Sequence, residues 1–520
     1  FERKTHKEIT QSAGTAIRTD IKTPILKVMK RLYPDYDLKT LDKSMCLLWC
    51  NDPDYAEISP PDRIARALWL YEQSTIHNGL YLDLELVQSA LCRCTEYRLL
   101  FSVASPPEKG FMTQISEVFR RLGIGVQRSY SLNISTGSQR HFLGTFYIIP
   151  PGAAPLTRGS QLFQKLQTEL YNTHILSAQA DTYTHYIAGG IMGGEEASLT
   201  EAFIAFCHTN LGHNQLDRFS LARVKEAFLA DPDTTLQLIG LFKMRFDKSA
   251  KRGRREFESA VEEARRAIED YNTGHRYLDR IRRRIFLTCL SFICHVLKTN
   301  FFVPQKHALA FRLDPSYLAE LPRAFTSDLP REDPFRITFF FGRYGVGYHV
   351  GFSDIARGGW RTIICTSGDA YITNMNTLFR EVFVLAHTQH LKNKDIYEGG
   401  SKMAAVLNAQ ECPSQEEINN RLFKLQYGFA NAFLDIFVTD NGKARHPHVI
   451  DYYGEDEPIE LGPDENMPNA MIELIAKEAV KRGYLLGTGI MSSKRAGINH
   501  REYGVTSRWV VKFAEIAMKE

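Results

Sequence analysis

The residues of this sequence best suited to chemistry are three cations and one carboxylate set among glycines. They are Arg357 in ARGGWR, Lys392 and Lys402 at the two ends of KNKDIYEGGSK, and Asp464 in GPDENM. Arginine presents a planar fork that grips a carboxylate through two parallel hydrogen bonds, whereas lysine is a compact charge whose pKa falls readily beside other cations in a buried place. Together they suit a substrate with two carboxylates and a reaction that moves protons. Gly358 and Gly359, like Gly399 and Gly400, remove side chains next to two of the cations, so backbone and ligand can approach closely. Asp464, on a turn after a strand-like run, can give or take a proton once a neighbouring cation tunes it.

These residues need elements to hold them. Leu378, Val382 and Leu385 share a helical face and predict a helix over Thr377 to Leu391, which places Lys392 at a C-terminus, where a cation is favoured. Asp395, Ile396 and Tyr397 read as a short strand feeding the turn before Lys402. Upstream, residues 308–313 and 335–341 are short β-like runs, and GRYG is a turn between strands. Gly345, Gly347 and Gly351 superficially resemble a nucleotide loop. Their spacing is G-x-G-x-x-x-G and a strand follows, so they read as hairpin glycines rather than a dinucleotide fingerprint. Beyond Asp464, a helix from about Ala470 to Arg482 is closed by Gly483.

The rest of the chain supplies the frame, an α/β multidomain fold. Residues 1–95 read as a helical N-terminal region, with stripes at Ile25, Val28, Met29 and Leu32 and at Ile64, Ala67, Leu68 and Tyr71. Residues 96–190 read β-α-β-β-α, an order that resembles the ACT-type regulatory fold in topology. The first of its helices carries a stripe of Phe111, Met112, Ile115, Val118, Phe119 and Leu122; its next strand alternates Val126, Tyr130, Leu132 and Ile134. Residues 191–300 read as a helical linker domain, and residues 301–503 as an α/β substrate-binding domain.

Composition excludes several classes. With 44% hydrophobic and 24% charged residues and a net charge of +4, the chain is an ordinary globular protein with no global electrostatic case for nucleic acid or an anionic membrane. The basic cluster at Lys251, Arg252, Arg254 and Arg255 runs straight into Glu256 and Glu258, the pattern of a solvated helix face. The longest apolar stretch, Ile285 to Leu297, is too short and too interrupted to span a bilayer. The nine cysteines lack metal-ligand spacing, so no metal is expected, and they read as reduced thiols of a cytoplasmic protein.

Taken in order, ARGGWR, KNKDIYEGGSKM, GPDENM and NHREYGVTSR resemble the large NAD-dependent glutamate dehydrogenases, a multidomain branch of the amino-acid dehydrogenases. The resemblance covers about Phe301 to the end. It implies oxidative deamination of L-glutamate to 2-oxoglutarate and ammonia with NAD as coenzyme, in a homo-oligomer. By the same resemblance Arg357, with Gly358 and Gly359, binds the substrate's side-chain carboxylate; Lys392 holds its α-carboxylate; Lys402 is the catalytic lysine that activates water; Asp464 shuttles a proton to and from nitrogen. Thr506 matches the threonine near the nicotinamide. Two departures stand out: arginine replaces the lysine that smaller members carry before GG, and Met403 and Ala404 follow Lys402 where many members have glycines.

The resemblance also requires a Rossmann domain with a glycine-rich strand-to-helix turn. Residues 504–520 read as its start, and the opening without methionine reads as a cut, so the chain is expected to be the regulatory and substrate-binding portion of a longer enzyme. It would bind glutamate or 2-oxoglutarate without transferring hydride by itself. The alternative from another class is a non-catalytic dicarboxylate sensor or scaffold. A dehydrogenase for apolar amino acids is disfavoured, because the Arg357 guanidinium would lose its counter-charge.

Overall fold

The computed structural model describes residues 19–76, 80–87, 96–104, 106–107, 110–135, 140–152, 155–247, 254–392, 398–492 and 503–519, and divides into two units, Phe1–Thr173 and His174–Glu520. In the first unit, helices α1 (Thr19–Leu32), α2 (Leu38–Asn51), α3 (Pro53–Ile58) and α4 (Pro61–Ile76) precede strands β1 (Leu80–Val87) and β2 (Glu96–Ala104). Helix α5 (Phe111–Arg121), strands β3 (Gly125–Ser135) and β4 (Arg140–Ile149) and helix α6 (Gln161–Asn172) follow. The strands form an antiparallel sheet in the order β1-β2-β4-β3. Side chains alternate across a strand, so each face of the sheet gets its own core. Leu99, Phe101, Phe146 and Ile148 pack with Ile115 of α5 and Leu166 of α6. Leu100, Leu132, Ile134 and Leu143 pack with Ile25 and Met29 of α1 and Leu68 of α4.

The helical reading of residues 1–95 is corrected at β1. There Leu80, Leu82 and Leu84 alternate with Tyr81, Asp83 and Glu85 and pair with β2, and this period of two outweighs the helical texture before it. Met112, counted in the α5 stripe, is exposed, as is Val126. A bulge between Val126 and Arg128 turns the start of β3 out of register. Arg128 lies over the Tyr147 ring and pairs with Glu96 at 3.0 Å.

The second unit begins with helices α7 (Gly194–Leu211), α8 (Leu221–Ala230), α9 (Pro232–Phe246), α10 (Arg254–Glu269) and α11 (Arg276–His295). Strands β5 (Val296–Thr299), β6 (Leu309–Leu313), β7 (Arg336–Gly342), β8 (Gly345–Gly351) and β9 (Ala356–Cys365) lead into the long helix α12 (Gly368–His390). Then come β10 (Gly399–Asn408), α13 (Gln415–Phe437), the small hairpin β11 (Thr439–Asp440) and β12 (Lys443–Ala444), β13 (Ile450–Asp451), β14 (Ile459–Pro463) and α14 (Asn469–Arg482). Helix α15 (Val505–Ala517) ends the described chain. Eight strands make one sheet in the order β13-β5-β6-β7-β8-β10-β9-β14, antiparallel up to β10 and parallel across β10, β9 and β14. Gly345, Gly347 and Gly351 are on β8 of a hairpin, as their spacing predicts.

One face of this sheet packs on α7, α9, α11 and α12 through Phe311, Phe339, Tyr348, Ala404 and Val406. The other packs on α13 and α14 through Phe340, Trp360, Met403, Ala405 and Leu461. The helices of 191–300 therefore share a core with the strands after 301, instead of forming the separate linker domain that the change of texture predicts. Their apolar surface is completed only by the sheet. Ser367 caps α12 by accepting from the Ala370 amide, so the helix begins nine residues before its sequence stripe at Thr377. Of the basic cluster, Lys251 and Arg252 lie outside the described residues; Arg255 and Glu256 are exposed. Among the described residues no helix is long and apolar enough to cross a membrane, and no group of three metal-ligating side chains is present.

Candidate functional site

Three parallel strands set the site, with β9 in the middle. On one flank Gly400, Ser401 and Lys402 of β10 stand beside Arg357, Gly358 and Gly359; on the other, Glu460, Leu461 and Gly462 of β14 stand beside the same three. Because side chains alternate, Arg357, Gly359 and Lys402 share the face toward α12, while Gly358 and Ser401 point to the opposite face. Asp464 follows the end of β14, and its amide donates to the Trp360 carbonyl at 3.0 Å. Its carboxylate comes back over Gly359 and pairs with Lys402 Nζ.

The glycine is what makes this meeting possible. A Cβ at Gly359 would stand 1.8 Å from Asp464 Oδ2, in the space the carboxylate occupies. At Gly358 the obstacle is backbone, the Ser401 carbonyl at 1.6 Å, so this second glycine sets the spacing of β9 and β10. Gly400 has the same role toward the end of α12, with the His390 amide nitrogen 1.9 Å from its virtual Cβ. The GG pairs thus serve close packing of backbone and of one carboxylate.

Arg357 is half exposed and engages two carboxylates, Glu398 Oε1 at 3.0 Å and Glu460 Oε2 at 3.4 Å. Lys402 is mostly covered, with 17% of its side chain exposed, against 40% for Asp464. The group facing Lys402 Nζ is thus a carboxylate, where the sequence led us to expect cations around it. Met403 and Ala404, at the family's glycine positions, continue β10 as a regular strand and enter the two cores on either side of the sheet.

Lys392 is exposed just past Leu391, the C-cap of α12, and forms no ion pair with another described residue. The strand predicted at Asp395–Tyr397 lies outside the described residues. Thr506 is on α15; its side chain lies outside the described residues as well.

Several residues that the motif reading passed over hold the site in place. Arg361, next on the same face, donates to Glu381 of α12 and to Glu465, each at 2.7 Å, and so ties the Asp464 turn to the helix. Asn466 takes a left-handed backbone (φ 56°), and its side chain donates to the Thr362 carbonyl at 2.8 Å. Buried Gln426 of α13 reaches the Asn466 carbonyl at 2.7 Å and Thr362 Oγ1 at 3.0 Å. Glu460 was legible in principle, since Ile459 and Leu461 place it on the other face of β14. Gln426 and Glu381 carried no such signal, being polar residues within long helices.

Residues 276–517 match the family model described as "Bacterial NAD-glutamate dehydrogenase, catalytic domain". Curated proteins agree. "Glutamate dehydrogenase 2" of Dictyostelium discoideum is 30% identical over 334 residues, covering 64% of this chain and 29% of that protein. An "NAD-specific glutamate dehydrogenase" of Neurospora crassa is 35% identical over 225 residues, 42% of this chain and 20% of that protein. Another, from Pseudomonas aeruginosa, is 25% identical over 421 residues, 77% of this chain and 24% of that protein. These similarities agree with the resemblance read from the four motifs, and the chain spans less than a third of the length of these relatives.

Proposed function

We propose that this relative of the NAD-specific glutamate dehydrogenases carries the substrate-binding part of an enzyme that deaminates L-glutamate to 2-oxoglutarate and ammonia with NAD as oxidant. The observation that carries the reading is the Lys402–Asp464 pair seated over Gly359, with Arg357 two residues along the same face of β9. Arg357 exchanges Glu398 and Glu460 for the distal carboxylate of the substrate, as a guanidinium fork can. Once its proton has passed to Asp464, Lys402 takes a proton from the water that adds to the α-carbon. Asp464 then gives its proton to the departing nitrogen as the carbon–nitrogen bond breaks. Lys392 is assigned the α-carboxylate by resemblance alone.

NAD supplies the hydride acceptor in this reading. Among the described residues the glycines nearest to a dinucleotide spacing are on strand β8, and the Gly345 virtual Cβ meets the Val406 carbonyl at 1.9 Å. That hairpin does not fit a pyrophosphate. The β-α-β-β-α order of residues 96–172 supports an ACT-like regulatory role for the first unit. Buried free thiols such as Cys207 and Cys289 suit a reducing, cytoplasmic setting, and a homo-oligomer is part of the same proposal.

The test is a calorimetric titration of this chain with 2-oxoglutarate, beside Arg357→Ala. Loss of a charge-assisted pair of about 1.5–3 kcal/mol should weaken binding at least tenfold. Equal affinity in the two proteins would overturn the assignment of Arg357.

A further inference from the structure

The face of the sheet turned away from Lys402 contains a second polar group that the reaction does not use. Lys298 of β5, Arg312 of β6 and Arg336 of β7 are buried there, and the carboxylates they meet are Glu457 and Asp451. Glu457 lies 3.2 Å from Lys298 Nζ, 3.2 Å from Arg312 Nε and 3.4 Å from Arg336 Nε; Asp451 lies 3.6 Å from Lys298 Nζ. Within ion-pair distance three cations face only two carboxylates, and the further carboxylate that feels Arg336, that of Asp354, is exposed to solvent, which leaves one positive charge in excess in the buried seam. An unbalanced charge inside a protein is unfavourable unless something pairs with it.

Several buried polar groups without a hydrogen-bond partner lie close together on this face. Arg336 Nε and Nη1 have no hydrogen-bond partner, although Nη2 donates to the Ser353 carbonyl at 3.0 Å. Both ring nitrogens of His349, Thr338 Oγ1 and Ser401 Oγ also lack partners, and all four residues are fully buried. Strand register makes them neighbours. Thr338 stands opposite His349, and Gly351 stands between Arg336 on one side and Ser401 on the other. The Gly351 virtual Cβ is 3.4 Å from Arg336 Cγ and 3.6 Å from His349 Cε1. Buried polar groups are nearly always satisfied, so a cluster of this size marks a resident that bonds them.

We infer that a small monovalent anion of halide type binds in this seam, held by Arg336, His349, Thr338 and Ser401. The guanidinium can only donate, and the two hydroxyls and one imidazole nitrogen can each turn a proton inward. Such a lining satisfies an acceptor that carries charge. A water molecule would have to send its own two protons toward the same donors. The single negative charge also cancels the excess left by Glu457 and Asp451.

Bromide is the probe. Thermal unfolding of the chain in sodium bromide, against sodium gluconate at equal ionic strength, should show a rise in Tm that saturates with bromide, because a ligand bound only to the folded state stabilises it. Thr338→Val with Ser401→Ala should abolish that rise. A bromide-soaked crystal of the unsubstituted protein keeps the test open if the variant does not fold. An anomalous peak within hydrogen-bond reach of Arg336 and His349 is expected; ordinary water density there, or a Tm indifferent to the anion, would overturn the inference.

Discussion

The two faces of the eight-stranded sheet both carry ion pairs, and burial separates their roles. On the α12 face, Lys402 with Asp464 and Arg357 with Glu398 and Glu460 remain partly open to solvent. Pairs of this kind add little to stability, and their partners can be exchanged. On the α13 face, Lys298, Arg312, Arg336 and Glu457 are at most 2% exposed and share one carboxylate among three cations. Those charges cannot be released to water without unfolding. One sheet therefore holds an exchangeable set suited to a ligand, and behind it a fixed set that locks the strands.

The sharpest way to break this contrast is Glu457→Gln. Removing the shared counter-charge of three buried cations should cost about 3–5 kcal/mol of unfolding free energy, measured by denaturant titration. A cost below 1 kcal/mol would mean the buried face is no more fixed than the open one. Next come the adjacent glycines, which point to opposite faces. Gly358→Ala drives a Cβ into the Ser401 carbonyl and should destabilise by about 1–3 kcal/mol, as overpacking does.

pH distinguishes the faces more gently. Burial, aided by the Arg336 charge, pushes the His349 imidazole down to about 3 from 6.5. The unfolded chain takes up that proton below about pH 6.5 and the folded chain does not, so stability falls as pH drops from 6.5 toward 3. In gluconate buffer, His349→Gln should remove up to about 1.4 kcal/mol per pH unit from that slope. An unchanged slope would show that the ring does not stay neutral.

The smallest effect on stability belongs to the open face. Lys402→Gln should change the unfolding free energy by no more than about 1 kcal/mol. Gly359→Ala meets only a movable carboxylate, so it should displace Asp464 and weaken 2-oxoglutarate binding while the fold survives. Behaviour like that of Gly358→Ala would remove the distinction between the two glycines.

The sequence by itself carried the family resemblance, through four motifs in order, and determined most elements of the second unit, because hairpin glycines, the Gly483 stop and strand alternation are local signals. It also singled out Arg357, Lys402 and Asp464 from residue type and turn chemistry. It could not place β1 in a sheet, since a short alternating run gains its meaning from the partner strand Glu96–Ala104. Nor could it join the helices of 191–300 to the strands after 301, because shared burial is a property of the folded core. Only the tertiary structure decided that Asp464 closes onto Lys402 over Gly359. These pairings depend on the parallel register of β10, β9 and β14, in which residues about 40 to 100 positions apart stand side by side. That register is set by packing on both faces of the sheet and is written in no single stretch of the chain.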